Sequence, residues 1–197
     1  LPGRFASGDF GPGAWRFIDF LNESGHSYWQ VLPLTPTTKK YGWSPYSPPS
    51  AFAGNIIFIS PRQLAEESLI SKKEMREWEC ALAEKADFNK AHQLRKELTR
   101  SAYENFITHC SAPARQKFHE FCEKEKYWLD DYAFFLLFKE QFNGQPWNEW
   151  PAEIRDHKPE ALQKAAKGNE RKLELFKFHQ YLFAGQWQDL KRYANHH

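Results

Sequence analysis

The feature that most constrains the fold is a helix-like stretch followed directly by an uncharged, strand-like run. After the turn-rich segment GDFGPG, apolar residues over 14–21 recur at i, i+3, i+4 and i+7. This spacing predicts an amphipathic helix that ends at Gly25. The next run, SYWQVLPL at residues 27–34, has β-branched and aromatic residues without charge and predicts a strand buried on both faces. Helix and buried strand form half of a βαβ unit, so residues 1–60 are predicted to be α/β.

The rest of the chain is predicted to be mainly helical. Ser60 before Pro61 indicates one helix start, and Ser71 with Glu74 forms a capping box at another. The spacing of apolar residues predicts further helices over residues 91–106, 118–122 and 170–195. The run YWLDDYAFFLLFKEQF, residues 127–142, is apolar nearly all round, which predicts a buried helix.

Composition excludes several classes of protein. Hydrophobic residues make up 41% and aromatic residues 17% of the 197 residues, too much for a disordered chain. The 27 basic and 25 acidic side chains are interspersed, so a nucleic-acid surface is not expected. No apolar run approaches the roughly 18 residues of a transmembrane helix. The widely spaced Cys80, Cys110 and Cys122 favour reduced thiols in a cytoplasmic protein.

The sequence contains no motif for a metal ion or a cofactor. Its eight histidines lack HxH and HExxH spacing, its cysteines lack CxxC, and no GxSxG elbow or glycine-rich phosphate loop is found. Asp130 and Asp131 lie in a very apolar stretch, where burial could raise a carboxyl pKa. Neighbouring helical residues point about 100° apart, so this pair cannot face one site. A structural role is favoured for both aspartates, and no metal or cofactor is expected.

The segment YGWSPYSPPSAFAGN, residues 41–55, is unusual for a loop. It contains four aromatic residues, three prolines and no charged side chain. Sugars present apolar C–H faces beside a rim of hydroxyls, so their sites combine aromatic platforms with short hydroxyl side chains. Tyr46, flanked by Ser44 and Ser47 on a proline-stiffened backbone, supplies that combination. The loop aromatics could equally plug the end of a core, and composition alone does not decide between these interpretations.

Five ordered motifs resemble the N-terminal part of the 4-α-glucanotransferases of glycoside hydrolase family 77, also called amylomaltases or disproportionating enzymes. They are GDFGPGAWRFIDFLNESGHSYWQVLPL, SPYSPPSAFAGN, WLDDYAFFLLFKE, PWNEWP and FHQYLFAGQWQDLKRYANHH. The resemblance implies a (β/α)8 TIM barrel, with a mostly helical insertion after the second strand, that transfers α-1,4-glucan segments between maltooligosaccharides with retention. The implied partners are maltooligosaccharides, starch or glycogen-type α-glucans and the remainder of the same barrel.

The resemblance also implies a division of the chain. Residues 1–60 would form an N-terminal barrel segment with a substrate loop over residues 35–55. Residues 61–168 would form a mainly helical insertion, and residues 169–197 a helix leading back to the barrel.

The resemblance assigns roles to the loop. Ser44 and Tyr46 would lie in the donor-sugar subsites, with Tyr46 near the reacting sugar. Together with Ser47 and Asn55, they are the predicted substrate-binding residues. The family commonly has aspartate and glutamine on either side of SPY, whereas this sequence has Trp43 and Ser47 there, after a longer TTKKYGW stretch.

The resemblance implies no catalytic residue in this chain. The family's aspartate nucleophile, glutamate acid/base and stabilising aspartate lie on later barrel strands. We expect the chain to start after the first strand and to end where the third would begin. The chain alone is therefore expected to be inactive. Two other functions stay open: a non-catalytic carbohydrate-binding module, and a helical interaction domain in which tryptophans such as Trp128 and Trp147 form core or partner surface.

Overall fold

The structure, a computed structural model, describes residues 3–197, and its regular elements are helices. Their bounds are α1 Pro12–Glu23, α2 Pro61–Glu66, α3 Lys72–Glu77, α4 Phe88–His109, α5 Ala112–Gln141, α6 Ala152–Arg155, α7 Pro159–Ala166 and α8 Glu170–His196. Short 3₁₀ turns lie at Lys39–Tyr41, Ile56–Phe58 and Trp147–Glu149. In this part of the chain no helix is both long and apolar enough to cross a membrane.

The predicted strand over residues 27–34 is not formed. No β-strand is present within residues 3–197, and this run is irregular. Tyr28 is 92% exposed and Leu32 is also exposed, although the prediction placed both faces inside. A strand is held by hydrogen bonds to a neighbouring strand, and the described residues offer none. The described chain is therefore mostly helical, not α/β as predicted for residues 1–60.

The predicted helix boundaries are confirmed where the sequence carries capping residues. Pro12 occupies the first turn of α1, and Gly25 follows its end in the left-handed conformation with φ 73°. Ser60 is the N-cap of α2. The Ser71 side chain accepts a hydrogen bond from the Glu74 backbone N–H at 3.0 Å, which is the N-cap half of the predicted capping box.

The main core lies between α4, α5 and α8. Phe106, Phe118 and Phe178 contribute one ring from each helix, and the Phe106 and Phe178 ring centroids are 4.9 Å apart. The predicted apolar stripe of α4 is fully buried: Ala91, Leu94, Leu98, Ala102 and Phe106. Residues of all three predicted segments, 1–60, 61–168 and 169–197, contribute to this core. The segment boundaries themselves stay a prediction.

Helix α5 differs from the prediction. Two separate helices were expected, near residues 118–122 and 127–142, but one continuous helix of 30 residues covers both. At 1.5 Å per residue it is about 45 Å long. Tyr127 is 70% exposed and Asp131 is exposed, so the second half is not buried all round. The reason is that α5 packs with one side on α8, while its other side faces solvent.

A buried cation ties the N-terminal segment to the helices. Arg95 of α4 is 0% exposed. It donates hydrogen bonds to the carbonyl oxygens of Phe5 at 3.0 Å and Ile59 at 2.6 Å, and to the Asp9 carboxylate at 2.9 Å. Burial lowers the pKa of Arg95 to about 10, and Asp9 opposes that shift. The guanidinium is still charged at neutral pH, so the segment is held by a charge-assisted network.

Candidate functional site

Tyr46 lies on the surface of the 41–55 loop. Its side chain is 71% exposed, and within residues 3–197 its hydroxyl has no hydrogen-bond partner. Its backbone N–H donates to the Ser44 hydroxyl at 3.2 Å, and the Ser47 N–H donates to the Ser44 carbonyl at 3.4 Å. Tyr46 therefore does not plug a core formed by residues 3–197. The structure brings Ser44, Tyr46 and Ser47 together in one tight turn with an aromatic ring turned outward.

The two ends of the loop are attached to different helices. Trp43 packs on Phe88 and His92 of α4, with ring centroids 6.2 and 5.8 Å away. Phe52 packs on Trp128 of α5, with nearly parallel rings 6.2 Å apart. Neither aromatic enters the core between the helices. The loop thus lies across the helices, and its exposed central residues are Tyr46, Ser47 and Pro49.

The backbone of the loop is fixed in an unusual conformation at Trp43. Gly42 and Trp43 both have φ of 60°, in the left-handed region that residues other than glycine rarely adopt. The Trp43 N–H donates to the Thr38 carbonyl at 3.0 Å. Such strain, of order 1–3 kcal/mol, persists only where surrounding contacts enforce it and is concentrated at functional sites. The packing of Trp43 on α4 provides those contacts.

Asn55 lies inside the loop rather than on its surface. It is buried, its amide donates to the Thr37 hydroxyl at 3.0 Å, and its side-chain oxygen accepts from the Ile57 N–H at 3.2 Å. Its backbone N–H donates to the Leu34 carbonyl at 2.9 Å. In this structure Asn55 holds the loop ends together, whereas Ser44, Tyr46 and Ser47 are placed where a ligand could reach them.

An apolar cleft of about 540 Å³ opens beside the loop. It lies between the N-terminal segment, α1, residues 29–34, the loop and α8. Its apolar lining includes Phe10, Trp29, Leu34, Trp43, Phe58 and Trp187. Residues 29–34 of the predicted strand form one wall, so Trp29, Val31, Leu32 and Leu34 line this cleft.

The 41–55 loop carries no charged side chain of its own, since it contains no Asp, Glu, Lys, Arg or His. Lys40 Nζ lies 5.6 Å from the centroid of the Tyr41 ring, and His92, which packs on Trp43, has its pKa lowered by burial. The two aspartates singled out in the sequence are occupied elsewhere: Asp130 pairs with Lys177, and Asp131 contacts His157 at 2.9 Å. Within residues 3–197, no group of three His, Cys, Asp or Glu side chains could hold a metal ion.

Sequence reasoning missed the helical partners of the loop. Phe88, His92 and Trp128 belong to helices whose patterns predict only their own buried faces. No local pattern shows that loop residues 45 to 76 positions earlier pack on them.

Comparisons with known proteins cover the whole chain. The model of the glycoside hydrolase 77 family, described as 4-alpha-glucanotransferase, matches residues 1–197. The 4-alpha-glucanotransferase of Aquifex aeolicus is 37% identical over 98% of this chain and 38% of its own length. The 4-alpha-glucanotransferase of Clostridium butyricum is 39% identical over 99% of this chain and 39% of its own length.

A solved structure gives the same result. The amylomaltase from Streptococcus agalactiae in complex with acarbose superposes with a TM-score of 0.89 at 33% identity, covering 99% of this chain and 39% of that one. The chain thus spans about two fifths of the length of these relatives.

Proposed function

Because the chain belongs to glycoside hydrolase family 77, the 4-alpha-glucanotransferases, we propose that it supplies donor-sugar recognition in an enzyme that transfers α-1,4-glucan segments between maltooligosaccharides. One observation carries this proposal. Tyr46 presents an exposed ring, beside the hydroxyls of Ser44 and Ser47, on a loop that is stiffened by prolines and fixed to two helices. Aromatic faces bind the apolar face of a sugar ring, and rigid sites lose less entropy on binding.

The ligand class follows from the same features. The Streptococcus agalactiae amylomaltase was solved with acarbose. For this chain we propose maltooligosaccharides and the ends of starch or glycogen-type α-glucans. Tyr46 would stack on a glucose ring while Ser44 and Ser47 bond to its hydroxyls. Asn55 would act indirectly, because its side chain already bonds to Thr37 and Ile57.

The chemistry we propose is a retaining double displacement. In such a reaction a carboxylate attacks the anomeric carbon while a carboxylic acid about 5 to 5.5 Å away protonates the leaving oxygen. A sugar hydroxyl then replaces water as the acceptor. The loop carries no carboxylate, so its part is to bind and orient the donor sugar. We therefore expect the 197-residue chain alone to show no transfer.

The apolar cleft supports a barrel in the complete enzyme. Residues 27–34 are uncharged and irregular, and residues 29–34 line the cleft opposite α8. We propose that this run pairs with neighbouring strands of a (β/α)8 barrel. Pairing would satisfy its backbone and bury the side chains that are exposed here.

The experiment is disproportionation of maltotriose by a full-length protein containing these residues. We expect glucose and longer maltooligosaccharides from the unmodified protein. Tyr46→Ala should lower kcat/KM about 2- to 12-fold, corresponding to lost stacking of about 0.5 to 1.5 kcal/mol. The control is Trp147→Ala, which removes another exposed aromatic, 58% exposed and outside the loop. Unchanged kcat/KM in Tyr46→Ala would contradict the assignment.

A further inference from the structure

Two glutamines of helix α8 form hydrogen bonds to the backbone of residues much earlier in the chain. The Gly54 N–H donates to Gln180 Oε1 at 2.7 Å, and Gln180 Nε2 donates back to the Gly54 carbonyl at 3.1 Å. Six residues later, the Ser60 N–H donates to Gln186 Oε1 at 2.6 Å, and Gln186 Nε2 donates to the Ser60 carbonyl at 3.5 Å. Both glutamines are buried. Each carboxamide thus satisfies both backbone groups of one residue, as a neighbouring strand would.

Gly54 is pressed against α8 so closely that it has no room for a side chain. A Cβ atom built on Gly54 would lie 2.1 Å from the Phe183 ring. Phe183 follows Gln180 by about one helical turn, so ring and carboxamide contact Gly54 from the same helix. The position of Gly54 is therefore fixed by hydrogen bonds and by steric contact together.

Hydrogen bonds continue from Gly54 to the exposed part of the loop. Asn55, the next residue, bonds to the Leu34 carbonyl and to the Thr37 hydroxyl. From the same short stretch, the Thr35 hydroxyl donates to the Pro45 carbonyl at 3.3 Å. Pro45 is the residue between Ser44 and Tyr46. A connected series of contacts thus runs from α8 to the proposed sugar platform.

We propose that Gln180 is a positioning residue for the 41–55 loop: its carboxamide fixes Gly54 and thereby sets where Tyr46 and Ser44 meet the donor sugar. The inference rests on the proposed function. Gln180 itself does not touch the sugar. It acts through Gly54, Asn55 and the 34–37 stretch.

Gln186 provides a matched internal control. It makes the same two-point contact from the same helix, but to Ser60 at the start of α2, away from the loop. If the glutamines only stabilised the fold, replacing either would have the same kind of effect. If Gln180 positions the loop, only its replacement should alter how the sugar is handled.

The first experiment compares Gln180→Met and Gln186→Met in the full-length protein. Methionine has nearly the volume of glutamine but forms neither hydrogen bond, so both variants should lower Tm by similar amounts. Gln180→Met should also lower kcat/KM for maltotriose about tenfold, since a displacement near 1 Å can reduce rates up to about 10²-fold. Gln186→Met should stay within about twofold. Equal kinetic losses in both variants, tracking Tm, would overturn the proposal.

A conservative variant gives a second readout. In Gln180→Glu a protonated carboxylic acid can still accept from the Gly54 N–H and donate to its carbonyl, whereas a carboxylate repels that carbonyl. Activity relative to the unmodified protein should therefore rise as pH is lowered from 8 to 5.5, and Gln186→Glu should show no such recovery. A Gln180→Glu profile parallel to that of the unmodified protein would count against positioning.

Hydrogen–deuterium exchange separates this inference from the proposed function. Gln180→Met should speed exchange of the loop amides in residues 44–55, and Gln186→Met should leave them protected. An unmodified full-length protein that transfers no glucan would overturn the proposed function. Unchanged exchange in Gln180→Met would overturn the positioning role.

Discussion

Two regions of this molecule are rich in aromatic residues, and they use them in opposite ways. Buried rings from α4 and α5 contact Phe178 of α8 at centroid distances of 4.9 to 5.7 Å. In the 41–55 loop, Tyr41, Tyr46 and Phe52 are exposed on their outer sides. The same kinds of side chain therefore stabilise the fold in one region and are available for a ligand in the other.

The backbone explains the difference. The core rings lie on helices, where spacing by three or four residues brings side chains to one face. The loop rings lie on a backbone interrupted by Pro45 and Pro48 and by left-handed conformations at Gly42 and Trp43. Such a backbone has no periodic face to bury. An aromatic-rich stretch with prolines and without periodicity is thus a better candidate for recognition than for packing.

The largest expected effect is in the core. Phe178→Ala removes a fully buried ring that contacts Tyr103, Phe106 and Phe118. Large-to-small changes of this kind reduce the free energy of unfolding by about 3 to 5 kcal/mol. Urea unfolding would measure it, with Phe178→Leu as the milder companion. A loss below about 1 kcal/mol would show that the ring cluster is not the stabilising region.

A second effect on the core depends on pH. His179 of α8 is buried and lies 3.0 Å from the Thr99 hydroxyl, and burial lowers its pKa to about 3. The unfolded chain, with a histidine pKa near 6.5, therefore binds the proton first, so stability is complete above pH 6.5 and is lost as pH falls toward 3. Between pH 7 and pH 5 we expect a loss of about 2 kcal/mol.

His179→Gln tests the origin of that loss. It retains a hydrogen-bonding side chain toward Thr99 but cannot take up a proton. Unfolding free energies at pH 7 and pH 5 should therefore differ by about 2 kcal/mol less in the variant than in the unmodified protein. Identical pH dependence in both proteins would assign the loss to other groups.

The smallest effect on stability is expected in the loop. Tyr46→Ala removes an exposed ring without a hydrogen-bond partner in the described chain, so the free energy of unfolding should change by less than about 0.5 kcal/mol. Thermal unfolding and kcat/KM, measured on the same Tyr46→Ala protein, should show a lower kcat/KM and an unchanged Tm. A strongly lowered Tm would remove the contrast between the two regions.

Local patterns predicted the helices and part of the site. The α4 stripe and the Ser71 cap follow from nearest neighbours along the chain, and both are confirmed. The exposure of Tyr46 agrees with the sugar-platform interpretation, although its role stays a prediction. The strand over residues 27–34 failed because a strand requires partners that the described residues do not contain.

Long-range polar contacts had no sequence signal. Arg95 pairs with Asp9 across 86 positions, and Gln180 with Gly54 across 126. On a helical pattern such residues look like ordinary polar positions facing solvent. Only the packed structure shows that they are buried and hydrogen-bonded.

The separation between Gly54 and Gln180 also has a consequence during synthesis on the ribosome. Translation adds about 5 to 20 residues per second, so Gln180, which lies 126 positions after Gly54, is added about 6 to 25 s later. Through that interval the nascent chain already carries the aromatic loop but not the helix that holds Gly54. The Tyr46 surface is thus among the last parts of these residues to acquire its final shape, after α4 and α5 have had time to form.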